Sequence, residues 1–126
     1  MADARMKVPG PDHPISVTPD GKHVRVLWQG RVVADSTKAL ALKEASYPIV
    51  YYIPRADVDM SLLDRSAHHT YCPYKGEASY YSLAAEGGAA ENAVWSYEDP
   101  YPAMETIRGH VAFYPDRVDH IEIGES

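Results

Sequence analysis

The single cysteine of the chain sits in Thr70-Tyr71-Cys72-Pro73-Tyr74-Lys75-Gly76, a tight turn that also holds a lysine and two tyrosines. His68 and His69 lie just upstream. An imidazole can hold a thiolate, so Cys72 with a nearby histidine is a candidate nucleophile. On a strand, His69 and Cys72 point to opposite faces, whereas Thr70 and Cys72 share one. A direct partner for the thiol would therefore be His68 or a distant residue such as His110. The other reading of Cys72 is a small buried side chain that fills a hairpin. Lys75, beside Gly76 at the tip, can anchor a phosphate or carboxylate, with the tip amides adding a small nest for the same anion. The plainer alternative is a solvated turn lysine. Cys72, His69 and Lys75 are thus the candidate catalytic residues. The turn is not a phosphate-binding P-loop, because it lacks the glycine spacing and the Ser or Thr after lysine.

Two further patterns carry chemistry. Asp57-Val58-Asp59 places two carboxylates at period 2, and such a pair can hold Mg²⁺ in nucleotide-processing enzymes. No Gly-Ser turn precedes the pair, and Pro54 stands just before it, so capping of a loop is the better reading. The aromatic set is lopsided, with ten Tyr and two Trp against one Phe. On a strand through 77–83, Ala78, Tyr80 and Ser82 face one way while Ser79, Tyr81 and Leu83 face the other. Trp95 shares a face with Tyr97, and Tyr114 with His110 and Ala112. Turned inward together, Tyr80, Trp95, Tyr97 and Tyr114 line a polar-aromatic pocket suited to a planar or cationic small molecule. The alternative is a Tyr-rich core with satisfied hydroxyls.

These residues need elements to hold them. Residues 1–21 carry four prolines and little periodicity, which reads as an extended arm that orders only where it lies on the domain. Residues 22–126 read as a single β-rich domain. Its first strand, 23–28, turns at Gln29-Gly30 into a second, 31–35. The stretch 38–46 fits either a helix capped by Ser36 or a strand on which Leu40 and Leu42 alternate with small residues. A strand follows between Pro48 and Pro54, then a turn at Arg55-Ala56-Asp57 and a short extended or helical piece over 58–63. Segments 68–72 and 77–83 flank Pro73-Tyr74-Lys75-Gly76 as a hairpin, and 84–92 reads as a loop leading to a strand at 93–97. One helical turn is expected near 103–107, with closing strands at 109–114 and 120–123. Many short strands with frequent turn signals predict a mainly β domain of two antiparallel sheets, tent-like or barrel-like, with little helix.

Composition bounds the function. At 126 residues the chain fits one compact domain. The net charge of −6 and the absence of basic runs leave no footprint for a duplex binder, so nucleic acid is not an expected partner. No apolar run approaches the roughly 20 residues of a membrane span, and the first residues lack the apolar core of a signal peptide. One cysteine allows neither an internal disulfide nor a cysteine-ligated zinc. A cytoplasmic protein without membrane, metal or cofactor is the expectation.

Read in order, the segments resemble a known family. They are Tyr47-Pro48-Ile49-Val50-Tyr51-Tyr52-Ile53-Pro54, Asp57-Val58, Cys72-Pro73-Tyr74-Lys75-Gly76-Glu77-Ala78-Ser79-Tyr80-Tyr81, Glu91-Asn92-Ala93-Val94-Trp95-Ser96-Tyr97 and Ile107-Arg108-Gly109-His110-Val111-Ala112-Phe113-Tyr114. Together they resemble domain of unknown function family 427, small proteins widespread in bacteria and found in fungi. The resemblance implies a single, mainly antiparallel domain similar to the tent-like methionine sulfoxide reductase B and cereblon-type ligand domains. The zinc of those relatives, held by two Cys-x-x-Cys pairs, does not carry over to a chain with one cysteine. The family is sometimes labelled nucleotidyltransferase-like. Its signature residues map to Tyr52, Pro54, Cys72, Lys75, Gly76, Tyr80, Trp95, Tyr97 and Phe113, with no assigned roles.

The expectation from the sequence is a small-molecule-binding domain, possible enzyme, with Lys75 on an anionic group. Tyr52, Tyr80, Trp95, Tyr97 and Tyr114 would contact the rest of the ligand, with Cys72 or His69 near the reacting end. A non-catalytic interaction module, dimeric through the Ile121-Glu122-Ile123 edge, is the alternative. Nucleotidyl transfer, resting on Asp57, Asp59 and the family label, is the third.

Overall fold

The computed structural model describes residues 5–125 and forms two antiparallel sheets. In chain order the strands are β1 (Ile15–Pro19), β2 (His23–Trp28), β3 (Arg31–Ser36), β4 (Leu40–Glu44) and β5 (Val50–Pro54). They continue as β6 (Leu63–Cys72), β7 (Gly76–Ala85), β8 (Gly88–Ser96), β9 (His110–Phe113) and β10 (His120–Gly124). The large sheet has the order β1-β4-β5-β9-β8-β7-β6 and the small one β10-β2-β3. The edge strands β1 and β6 do not meet, which sets aside the barrel-like alternative.

The β2–β3 hairpin turns where expected. Gln29 and Gly30 both take positive φ, 52° and 71°, the backbone that matches a two-residue turn to the twist of its strands. The ambiguous stretch at 38–46 is strand β4, paired to β5 with Leu40 opposite Tyr52 and Leu42 opposite Val50. Helix propensity there yields to pairing on both sides, by β1 and β5. The expected piece after Asp57 is a 3₁₀ turn, Met60–Leu62, and a longer 3₁₀ segment spans Pro102–Ile107.

One expectation is corrected. The Ala/Gly stretch at 84–92 is not a loop, because β7 runs to Ala85, turns at Glu86-Gly87 and returns as β8 from Gly88. Alanine and glycine carry little strand preference of their own, so the cross-strand ladder decides. The irregularity that hid it lies after Tyr81, where Asn92 takes φ +50° and its amide bonds the Ser82 hydroxyl at 3.0 Å.

Side-chain alternation gives the large sheet two buried faces. Ile53, Tyr81, Leu83, Val94, Val111 and Phe113 pack against Val24, Val26 and Trp28 of the small sheet. The opposite face presents Leu42, Tyr52, Ala78, Tyr80 and Ala112, covered in part by Met104 and Ile107 of the 3₁₀ segment. The proline-bearing arm lies on the domain: β1 pairs with β4, and the Lys7 amide bonds the Pro73 carbonyl at 2.8 Å.

One register detail positions the site. β5 and β9 pair only at Ile53–Val111 and Pro54–His110. Beyond those pairs the ladder stops, so the large sheet is split between Val50–Tyr52 and Ala112–Tyr114.

Candidate functional site

A cavity of about 760 Å³ occupies this split. Residues from both faces of β5 line it, Val50 and Tyr52 from one and Tyr51 and Ile53 from the other. Such a lining requires an open sheet. Val24, Val26, Ile121 and Ile123 close it from the small sheet, and Tyr47, Pro48 and Ile49 stand exposed beside it. The rest of the wall combines Leu42, Phe113 and Pro115 with a chemically distinct set: Glu44, Cys72, Lys75, Trp95, Tyr97 and Tyr114.

Lys75 is the largest departure from the sequence reading. The residue is 6% exposed and donates to Glu44 Oε1 at the end of β4, so it is not a solvated turn lysine. Its backbone is fixed as well, since the Lys75 carbonyl accepts from the Tyr101 amide at 3.0 Å. Gly76 takes φ +108°, a backbone that favours glycine, and so lets the turn drive lysine inward. The other Glu44 oxygen bonds His13 Nε2 at 2.7 Å, and the His13 ring stacks on Tyr74 with centroids 4.2 Å apart. Burial raises the Glu44 carboxyl, but the hydrogen bonds from Lys75 and His13 outweigh it and leave its pKa below the usual value.

The aromatic wall forms a connected set. Trp95 Nε1 donates to the Tyr52 hydroxyl at 3.1 Å, and the two rings meet edge to face at 6.3 Å. Trp95 also packs on Tyr114 with centroids 4.5 Å apart. Tyr80 stands behind, its hydroxyl linking Thr70 Oγ1 at 3.0 Å and the Tyr114 hydroxyl at 3.2 Å, and it is not one of the residues lining the cavity. Burial raises the Tyr52 and Tyr97 hydroxyls well above the usual phenol range. Burial and the bond with Tyr80 raise Tyr114 to about 12. All three therefore stay O–H groups at neutral pH. Tyr97 differs from its neighbours. It is 8% exposed and lines the cavity, yet its hydroxyl has no hydrogen-bond partner among the described residues.

Cys72 is half-buried, with Lys75 Nζ 3.8 Å from its sulfur. The histidines lie elsewhere. His69 is exposed and faces Glu77 at 3.5 Å, in a separate polar cleft with Arg65 and Glu98. His68 meets the Tyr80 ring at 4.6 Å, and His110 Nδ1 pairs with the Arg108 carbonyl at 2.9 Å. The structure thus brings Cys72, Lys75, Tyr52, Trp95, Tyr97 and Tyr114 to one cavity and leaves His69 outside it.

Asp57 and Asp59 are also outside the cavity wall. Asp57 accepts from Ser36 Oγ at 2.6 Å, and Asp59 caps the 3₁₀ turn through the Ser61 amide at 3.2 Å. Asp59 thus caps a turn as the loop-capping reading has it, whereas Asp57 ties the turn to Ser36 of β3. Among the described residues no group of three or more His, Cys, Asp or Glu is arranged to hold a metal ion.

Two site residues escape the sequence reading, Glu44 and His13. Each lies 31 residues from the partner that gives it meaning, Lys75 for Glu44 and Glu44 for His13. No local spacing marks them.

No curated protein matches the chain. The sequence profile described as a domain of unknown function, DUF427, matches residues 16–124, which takes in β2 through β10 and every cavity residue named above. The chain belongs to that family.

Proposed function

We propose that this domain binds a small molecule in the cavity between β5 and β9. One observation carries the reading: about 760 Å³ of space is walled largely by aromatic and aliphatic side chains, and Tyr97, itself a buried residue, lines it with a hydroxyl that has no protein partner among the described residues. That volume falls in the range of about 300–1,000 Å³ typical of ligand sites, and a few polar groups on an apolar wall are their usual make-up. Trp95, Tyr52 and Tyr114 supply ring surface, and Lys75, Glu44, Cys72 and Tyr97 supply polar atoms. Native mass spectrometry and a thermal-shift screen against nucleotides, sugars, amino acids and cofactors test the reading. It expects a retained or stabilising compound whose effect is lost in Trp95→Ala. A hit that survives Trp95→Ala places binding elsewhere and overturns it, as does a broad panel without any hit.

A second reading, a homodimer through the small sheet, is favoured by one feature. β10 is an edge strand, and its Ile123 is 48% exposed. Sedimentation at increasing concentration tests it, and a monomer throughout removes it.

A further inference from the structure

We infer that the ligand of this cavity is electrically neutral at its polar end and accepts hydrogen bonds there, as a carbonyl oxygen does, on a planar and largely apolar body. The inference rests on the binding reading above and names its ligand class.

Charge is the first ground. Lys75 is matched by Glu44 before any ligand arrives, and the second Glu44 oxygen is held by His13. A carboxylate or phosphate brought beside this pair would be drawn to the ammonium and repelled by the carboxylate from a similar distance. It would lose its water without gaining a net counter-charge. An ammonium ligand meets the same balance with the signs reversed. This differs from the expectation that Lys75 anchors an anion, which treats the lysine as unpaired.

Donor supply is the second ground. The Tyr97 O–H belongs to a buried residue on the cavity wall and is unpartnered among the described residues, so it is open to the cavity. The Tyr52 oxygen accepts from Trp95, which leaves its own proton to give. Lys75 has three N–H groups, of which Glu44 takes one and the Cys72 sulfur, at 3.8 Å, is near a second. Both Glu44 oxygens already accept. The wall therefore has more donors to offer than acceptors. A ligand enclosed in the cavity covers these donors from water, so a ligand oxygen that accepts from them gains affinity a hydrocarbon cannot. The rest of the lining, Val24, Val26, Ile121, Trp95 and Tyr114, suits an apolar ring system.

The test is a matched series on one ring: 2-naphthamide, 2-naphthoate and 2-naphthylmethylamine, measured with the full chain at pH 7 by ligand-observed NMR. The amide is expected to bind about tenfold more tightly than either charged analogue, and Tyr97→Phe to weaken it several-fold. Tyr97→Phe removes a hydroxyl with no protein partner, so its fold is retained. Tighter binding of the naphthoate or the amine overturns the inference and leaves the binding reading standing. Equal amide affinity for wild type and Tyr97→Phe likewise removes the donor argument. If all three are silent, the charge at pH 7 of any compound returned by the broad panel decides in the same way. Silence from both series and panel overturns the inference together with the reading beneath it.

Discussion

Lys75 and Glu44, one in the turn after β6 and the other at the end of β4, form a partly buried ion pair across the large sheet, with side chains 8% and 17% exposed. A lysine buried this far depends on its carboxylate. Glu44→Gln leaves the ammonium uncompensated and also weakens the hold of His13 on the same side chain. Breaking a fully buried pair from one side costs about 3 kcal/mol or more, and for this partly buried one a loss of about 1–3 kcal/mol is expected. Lys75→Met with Glu44→Gln removes both charges and should recover most of that loss. Urea denaturation of wild type, the single variant and the double variant checks this. A single variant within about 0.5 kcal/mol of wild type would mean that water reaches the pair.

The hydroxyls of Tyr97 and Tyr80 should respond in opposite ways to the same edit. Tyr80→Phe loses bonds to Thr70 and Tyr114 and should cost about 1 kcal/mol. Tyr97→Phe loses no protein bond and should leave stability unchanged or raise it slightly. Chemical denaturation of the two variants side by side decides. A Tyr97→Phe loss as large as that of Tyr80→Phe would show that the Tyr97 hydroxyl is structurally engaged.

Acid should weaken the fold through Glu98. The two Arg65 Nη groups bond its oxygens at 2.9 and 2.6 Å, and the Tyr81 hydroxyl adds a bond at 2.8 Å. Chiefly through Arg65, the Glu98 pKa drops from 4.5 to about 2. A carboxylate with a depressed folded-state pKa stabilises the native state above its unfolded value. That contribution fades as pH falls through the folded one. Stability should therefore decline from about pH 4.5 towards pH 2, with Glu44 acting in the same direction. Glu98→Gln should flatten part of this decline while lowering stability at neutral pH. Denaturation midpoints across the acid range measure it, and identical slopes in both proteins would contradict it.

Much of the fold is legible in the residues because strands announce themselves locally. Alternation on 23–28 and the Gln29-Gly30 turn identify the first hairpin, and the prolines at 48 and 54 bracket β5. The Ala/Gly stretch misleads because its strand character comes from the partner across the ladder, not from its own side chains. The site divides the same way. Trp95, Tyr97 and Tyr114 are readable as one inward face, since each sits on or beside a strand with fixed alternation. Lys75 is readable as special but not as buried, because Glu44 reaches it only through the pairing of β1, β4 and β5. The split between β5 and β9 has no sequence mark, as it is a ladder that ends early.

Cys72 offers a direct report on the cavity. Cys72 is half-buried and lines the same wall as Lys75 and Trp95, so its reaction with a small alkylating reagent reads access through that space. Iodoacetamide should label native Cys72 several-fold more slowly than the same residue in urea, because burial restricts access to the thiolate. Trp95→Ala, which opens the wall, should speed the native reaction. A compound bound in the cavity should slow it, and one bound elsewhere should leave it unchanged. The chain has one cysteine, so mass spectrometry of the intact protein follows the reaction without ambiguity of site. Native labelling as fast as in urea, or indifferent to Trp95→Ala, would show that the thiol is reached by another route and that the wall described here is not continuous.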